Sequence, residues 1–363
     1  MTMPPATHQP LRGLHVVDAS RYLPGPFCSL QLAWLGAHVT VIEQPPYGDP
    51  LRAMPPLAAD GVSYAYHSLR RGCEVVQYDL TDEEQRELAV DLAIGADVFI
   101  ESFRPGVATK LGLGADALMS AAPELIYASL SGYGQTGPWA QAPGHDAGYE
   151  AVAGLLGQSG TQREIALPAV PMADLAGGYT AATAICAALL QRERTGRGAR
   201  IDIALAEAAL SLQAMQLPGL AAEHTARAQG TLTGGLACYG VYRCADDGWL
   251  SVAALEPKFF AALLDVIERP DLAPLHMDPA AQSNLRAVLA EIFASRTAIA
   301  WEQAFDPKRT GGDACVVRVL GAAEISNNRQ FAARGAVRST TTGVQPASPY
   351  VFDGVRSDSA ANA

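Results

Sequence analysis

The sequence predicts an α/β protein, with a large Rossmann-like domain built on a parallel sheet and a second, smaller α/β domain. Two observations carry this. Short apolar strand-like runs alternate with helix-like segments through the first half of the chain. A Gly/Thr-rich stretch, Gln229 to Gly235, then separates that half from a new start of the same kind, and 363 residues suffice for two domains of ordinary size.

The elements follow in order. Leu14 to Asp18 is a short buried strand, Gly25-Pro26 opens a helix that runs to Leu35, and His38 to Glu43 is the next strand. The pattern recurs with a strand over Cys73 to Leu80, a helix over Asp82 to Ile94, and strands at Asp97 to Glu101 and Leu125 to Leu130. A long alanine-rich helix covers Asp174 to Arg192, followed by a strand at Arg200 to Leu205 and a helix at Glu207 to Leu217. The second unit reads as a hairpin (Cys238 to Arg243, Trp249 to Ala253), helices at Lys258 to Ile267 and Ser283 to Ala294, a loop at Asp306 to Gly312, and a strand at Ala314 to Leu320. The predicted domains are 1–205 (large), 206–235 (linker helix and loop), 236–311 (small) and 312–363 (a segment returning to the large domain). The stretch Val351 to Ala363, small and polar, is expected to be a flexible tail.

Composition excludes several classes. Hydrophobic residues make up 49% and charged residues 17%, which rules out disorder and coiled coil. Acidic residues outnumber basic ones 37 to 26, a balance against general nucleic-acid binding that leaves room for a local basic pocket facing an anion. The six cysteines form no Cys-x-x-Cys pair and read as reduced thiols rather than a disulfide framework or a metal site. Met1 to Pro10 lacks a signal-peptide core, and no run reaches the ~18 uninterrupted apolar residues of a membrane span. A cytoplasmic location without membrane association is therefore expected. After the first strand stands Asp18-Ala19-Ser20-Arg21 in place of Gly-x-Gly-x-x-Gly, which speaks against a nicotinamide dehydrogenase.

Three clusters carry chemistry. Arg70-Arg71 and Phe103-Arg104-Pro105-Gly106 put arginines beside strand ends, where parallel sheets bind ligands and where guanidinium groups suit phosphate. The glycine-rich loop Gly132 to Pro138 runs on to Gly144-His145-Asp146, and a histidine is suited to proton transfer at neutral pH. Asp174 opens the long helix, where its ordinary role is an N-cap. The same position would set a carboxylate beside open backbone amides, with Gly177-Gly178 keeping them accessible to a substrate.

Taken together, these stretches resemble the family III CoA-transferases and their relatives, the α-methylacyl-CoA racemases, over nearly the whole chain from Leu11 to about Gly335. The marks are Arg21 to Pro26, Leu35-Gly36-Ala37, Ile42-Glu43 with Gly48-Asp49-Pro50, Glu101 to Gly106, Leu111 to Gly114, Gly132 to Pro138 and Arg192 to Gly198. Gly144-His145-Asp146, the Asp-x-x-Gly-Gly setting of Asp174 and the Glu256 segment (Val252 to Phe260) are closer to the racemases. Racemases commonly carry an Asn where this chain has Val170, and Arg71-Gly72-Cys73-Glu74 replaces a Lys-Arg-Ser-Val-like run.

The resemblance implies an interlocked homodimer acting on acyl-CoA with no further cofactor and no metal, CoA being part of the substrate. It implies inversion of the α-carbon of 2-methylacyl-CoA thioesters by two bases, His145 and Asp174, with Glu256 from the other subunit supporting His145. The enolate oxygen would lie on the amides at the start of the Asp174 helix. Arg70, Arg71, Phe103, Arg104, Gly134 and Tyr149 would hold the CoA. The alternative within the same resemblance is a CoA-transferase with Asp146 as nucleophile, forming an enzyme-bound thioester. The acyl chain stays open among branched fatty acyl, bile-acid or sterol, and arylpropionyl groups.

Overall fold

A computed structural model describes residues 8–223, 226–306 and 313–357. It divides into two compact units. One comprises the chain up to Leu156, Pro168–Ala214 and Ser326 onward; the other comprises Gly157–Leu167 and Met215–Ile325.

The first unit is built on six strands: β1 (His15–Asp18), β2 (His38–Glu43), β3 (Glu74–Gln77), β4 (Val98–Glu101), β5 (Ile126–Ser131) and β6 (Arg200–Ala204). All pair in parallel, in the order β3-β2-β1-β4-β5-β6. Helices link them: α1 (Pro24–Trp34), α2 (Tyr64–Leu69), α3 (Glu83–Ile94), α4 (Val107–Lys110), α5 (Ala115–Ala121), α6 (Asp146–Ala153), α7 (Leu155–Gln158), α8 (Met172–Thr195) and α9 (Leu205–Ser211). The central strands are apolar because helices cover both faces. Val16, Val39, Ile100 and Leu130 meet α1 and α8 in one layer, while Val17, Phe99 and Tyr127 meet α3 and α5 in the other. The strand order reverses between β1 and β4, and the crevice beyond their carboxyl ends is the ligand position of doubly wound sheets.

Helix α8 is long and apolar enough to cross a membrane by composition, but Ala181, Ile185 and Leu189 pack into the core against the sheet and α1. Its contact with α1 needs a glycine: a Cβ on Gly178 would stand 2.8 Å from the Pro24 carbonyl oxygen.

The second unit holds α10 (Leu217–Glu223), an antiparallel sheet of β7 (Tyr239–Arg243), β8 (Trp249–Ala253) and β9 (Val316–Arg318), and helices α11 (Pro257–Val266), α12 (Gln282–Phe293) and α13 (Ala298–Ala304). Phe293, Trp301 and Tyr242 anchor its core. Gly157–Leu167 belongs here because the Arg227 guanidinium donates to the carbonyls of Gly157, Thr161 and Gln162.

Two sequence expectations change. The strand near Ala314 does not return to the large unit: β9 pairs with β8, and the chain rejoins the first unit only from Ser326. The expected flexible tail is ordered in its first half. After α14 (Arg329–Ala333) and the hairpin β10 (Val337–Thr340) and β11 (Gly343–Pro346), the strands β12 (Val351–Phe352) and β13 (Val355–Arg356) pair. Ser357 is buried, with its hydroxyl donating to the Trp34 carbonyl at 2.6 Å. Residues 358–363 of that tail, and 307–312 of the predicted loop, lie outside the described residues.

Candidate active site

The site forms where α6 and α8 begin, beside the ends of β4 and β5. In the sequence, Gly132 to Asp146 reads as one loop; in the structure its end turns into helix α6. His145 is its N-cap, in extended backbone (φ −135°), and its side chain caps nothing and is exposed. Asp146 is the first helical residue.

Helix α8 begins two residues earlier than predicted, with Pro171 as N-cap. Asp174 therefore lies in the first turn and is no cap. The capping is done from α6: Asp146 Oδ1 accepts the Asp174 N–H at 3.0 Å, and Glu150 Oε1 accepts the Met172 N–H at 3.0 Å. The Leu175 amide bonds the Pro171 carbonyl. These three amides are thus taken, two of them by carboxyl groups, which leaves the Ala173 amide as the open donor of this turn among the described residues. Val170 is exposed just ahead, and α6 supplies the support for this turn.

Gly177 and Gly178 do not open the helix to a substrate either. A Cβ on Gly177 would collide with Leu205, and one on Gly178 with α1, so both serve close packing.

Asp174 is partly buried, and burial, with the nearby carboxyls of Asp146 and Glu150, pushes its pKa up to about 7. Glu150, which the sequence reading missed, is fully buried, and burial and Asp146 raise its pKa as well. Its spacing from Asp146, one helical turn, was the available signal, but it is legible only once α6 is known to be a helix.

Tyr149 is the packing centre. Its ring fills the space where a Cβ on Gly132 or Gly144 would stand at 2.5 Å, and it meets Tyr133 edge-on at 5.2 Å. Burial first, then Asp174, Tyr133 and Asp146, push its phenol to about 12, with Arg104 acting the other way. Arg104 is exposed just beyond the end of β4 and acts on the Tyr149 phenol. Gly134 is buried in a positive-φ turn (φ +85°) against Ala204 rather than open to a ligand.

Of the other residues expected to hold CoA, Arg70 is reassigned. Its side chain is 2% exposed and engaged with Asp18, Asp49 and the Ser20 carbonyl, which fixes the loop after β1 from within. Arg71 donates to the Gln345 side chain and the Pro346 carbonyl, tying down β11. Phe103 is half-buried beside Arg21, whose amide donates to Ser102 Oγ at 3.1 Å. Arg21, Phe103 and Arg104 therefore line the crevice between β1 and β4, Arg21 from the motif that follows β1. Glu256 is the exposed N-cap of α11 in the second unit, with no capping bond from its side chain.

This Rossmann-type sheet carries an acid cluster at two helix starts and an arginine beside the switch point, and the sequence profile of CoA-transferase family III spans residues 11–362. The chain belongs to that family. It is 35% identical over 333 residues to the human (Homo sapiens) alpha-methylacyl-CoA racemase, covering 90% of this chain and 82% of the relative. It is 33% identical over 310 residues to the human succinyl-CoA:glutarate CoA-transferase, covering 82% and 70%. The crystal structure of a CAIB/BAIF family protein from Brucella suis superposes with a TM-score of 0.84 at 28% identity, covering 97% of this chain and 96% of that one.

Proposed function

We propose that the protein is an isomerase that inverts the α-carbon of 2-methylacyl-CoA thioesters by proton transfer between His145 and Asp174. The observation that supports this best is the Asp174 carboxyl, partly buried beside Asp146 and Glu150 and raised to about 7. A group titrating near the working pH is present in both forms, so it can take a proton from one enantiomer and return one to the other. His145 stands next in sequence to the residue that bonds the Asp174 amide, which brings the two bases to the starts of neighbouring helices.

Inversion needs both. One group removes the proton beside the thioester carbonyl, and the other reprotonates the opposite face of the planar enolate. The donors left for the enolate oxygen are the Asp146 and Ala147 amides at the start of α6 and the Ala173 amide in the first turn of α8, which donate to no protein group among the described residues. Arg104, with Arg21 and Phe103, would hold the CoA moiety. Glu256 of a second copy, in an interlocked homodimer, would orient His145.

Transferase chemistry would instead use Asp146 as nucleophile. Its Oδ1 already accepts the Asp174 amide and its carboxyl neighbours Glu150, an arrangement suited to positioning. The deciding experiment is incubation with a single enantiomer of a 2-methylacyl-CoA in deuterium oxide. Gain of α-deuterium with loss of optical purity is expected. CoA transfer to a free carboxylic acid without α-exchange would overturn the proposal.

A further inference from the structure

Glu150 takes no step in the chemistry above, yet it is the most buried acid of the site, with no part of it reaching solvent. It stands one turn beyond Asp146, so the two carboxyls share a face of α6. Its Oε1 accepts the Met172 amide at 3.0 Å, while no N–H or O–H donor reaches its buried Oε2. The Asp146 carboxyl is its neighbour on that face, and burial and this neighbour hold the Glu150 pKa above the usual carboxylate range. Two carboxyls can bond to each other only when one carries a proton. Asp146 is partly solvated and accepts the Asp174 N–H, so the anion belongs there and the proton on Glu150.

We propose that Glu150 is a positioning residue for proton transfer at Asp174: a neutral buried acid that donates to Asp146, accepts the Met172 amide, and so locks the start of α6 to the start of α8. The inference rests on the proton-transfer role given to Asp174 above. Its physical consequence is twofold. Asp146 is held against the Asp174 amide, and the cluster is spared a further negative charge. The titratable groups facing Asp174 are the carboxyls of Asp146 and Glu150, of which Asp146 carries the charge; Tyr149, Tyr133 and Arg104 complete the polar surroundings. Helix α9 meets the next turn of α8 through Leu205, and α1 meets it through Pro24, Phe27 and the Cys28 backbone, the Cys28 thiol being buried and held protonated by burial.

The test compares Glu150→Gln with Glu150→Ala. The Gln amide keeps an N–H for Asp146 and a carbonyl for Met172 without charge, so kcat should stay within a few-fold of the parent, with the same pH profile. Ala loses the lock, and kcat should fall by about 10²-fold with KM little changed, since misplacing a reacting group by about 1 Å costs on that order. Carbon NMR titration of the Asp and Glu carboxyls, read without substrate, separates this inference from the proposed reaction. A Glu150 carboxyl still protonated at neutral pH, and an Asp174 titration unmoved in Glu150→Gln, support it even if the parent fails to exchange α-hydrogen. An ionised Glu150, a downward shift of Asp174 in the Gln variant, or an Ala variant with parental kcat and pH profile overturns it.

Discussion

Asp146 Oδ1 lies 3.0 Å from the backbone nitrogen of Asp174, so the residue following His145 caps the turn that carries the second acid. A carboxylate 28 positions away in sequence does what a local N-cap would do. Because the cap comes from α6, the Asp174 side chain is not consumed at the helix start.

The two bases should divide their labour. His145→Ala should abolish inversion yet leave α-deuterium exchange with retention in one enantiomer, and Asp174→Asn should leave it in the other. Loss of a positioned acid or base costs ~10²–10⁴-fold, so the residual exchange is read by mass spectrometry after long incubation. Full racemisation by either variant would mean that the pair is misassigned.

Asp174 should also mark stability. Its folded pKa, about 7, lies above the ordinary carboxylate value of 3.8, so its protonated form favours the folded state. That contribution is complete below about pH 4 and is lost as pH rises through about 7. Asp174→Asn, which cannot ionise, should flatten the decline across this window, as read from denaturant midpoints at several pH values. A parallel decline in both proteins would refute the raised pKa.

Asp146 should carry no covalent adduct. Acyl-CoA alone should leave no hydroxylamine-sensitive modification on it, whereas Asp146→Ala should destabilise the protein by about 0.5–2 kcal/mol through the lost cap. Peptide mass spectrometry that found a thioester on Asp146 during turnover would convert the assignment to a transferase.

The two arginines separate binding from folding. Arg104→Ala should raise KM at low salt, with the effect shrinking as salt screens the phosphates. Arg70→Ala should instead unfold readily, because removing one partner of a buried ion pair costs about 3–5 kcal/mol. Thermal melts beside Michaelis constants distinguish them, and a stable Arg70→Ala with raised KM would restore Arg70 to the ligand site.

Gly178→Ala tests the packing of α8 on α1. The added methyl meets the Pro24 carbonyl, and overpacking of this kind costs about 1–3 kcal/mol. An unchanged melting temperature would show that α1 yields.

The sequence by itself determined the alternation of strands and helices, and with it the parallel sheet, since period and apolar runs are local properties that each segment displays alone. It also singled out Asp146 and Asp174, which the fold brings together through the Asp174 amide. The tertiary structure decided which groups remain free to act. Arg70 looks like a phosphate ligand until Asp18 and Asp49, remote in sequence, close on its guanidinium. The amides of α8 look open until α6 folds Asp146 and Glu150 onto them, and β9 looks like a returning strand until it pairs with β8. Hydrogen-bond partners and burial are properties of pairs brought together by folding, and the proton affinity of Asp174 follows from them rather than from its own side chain.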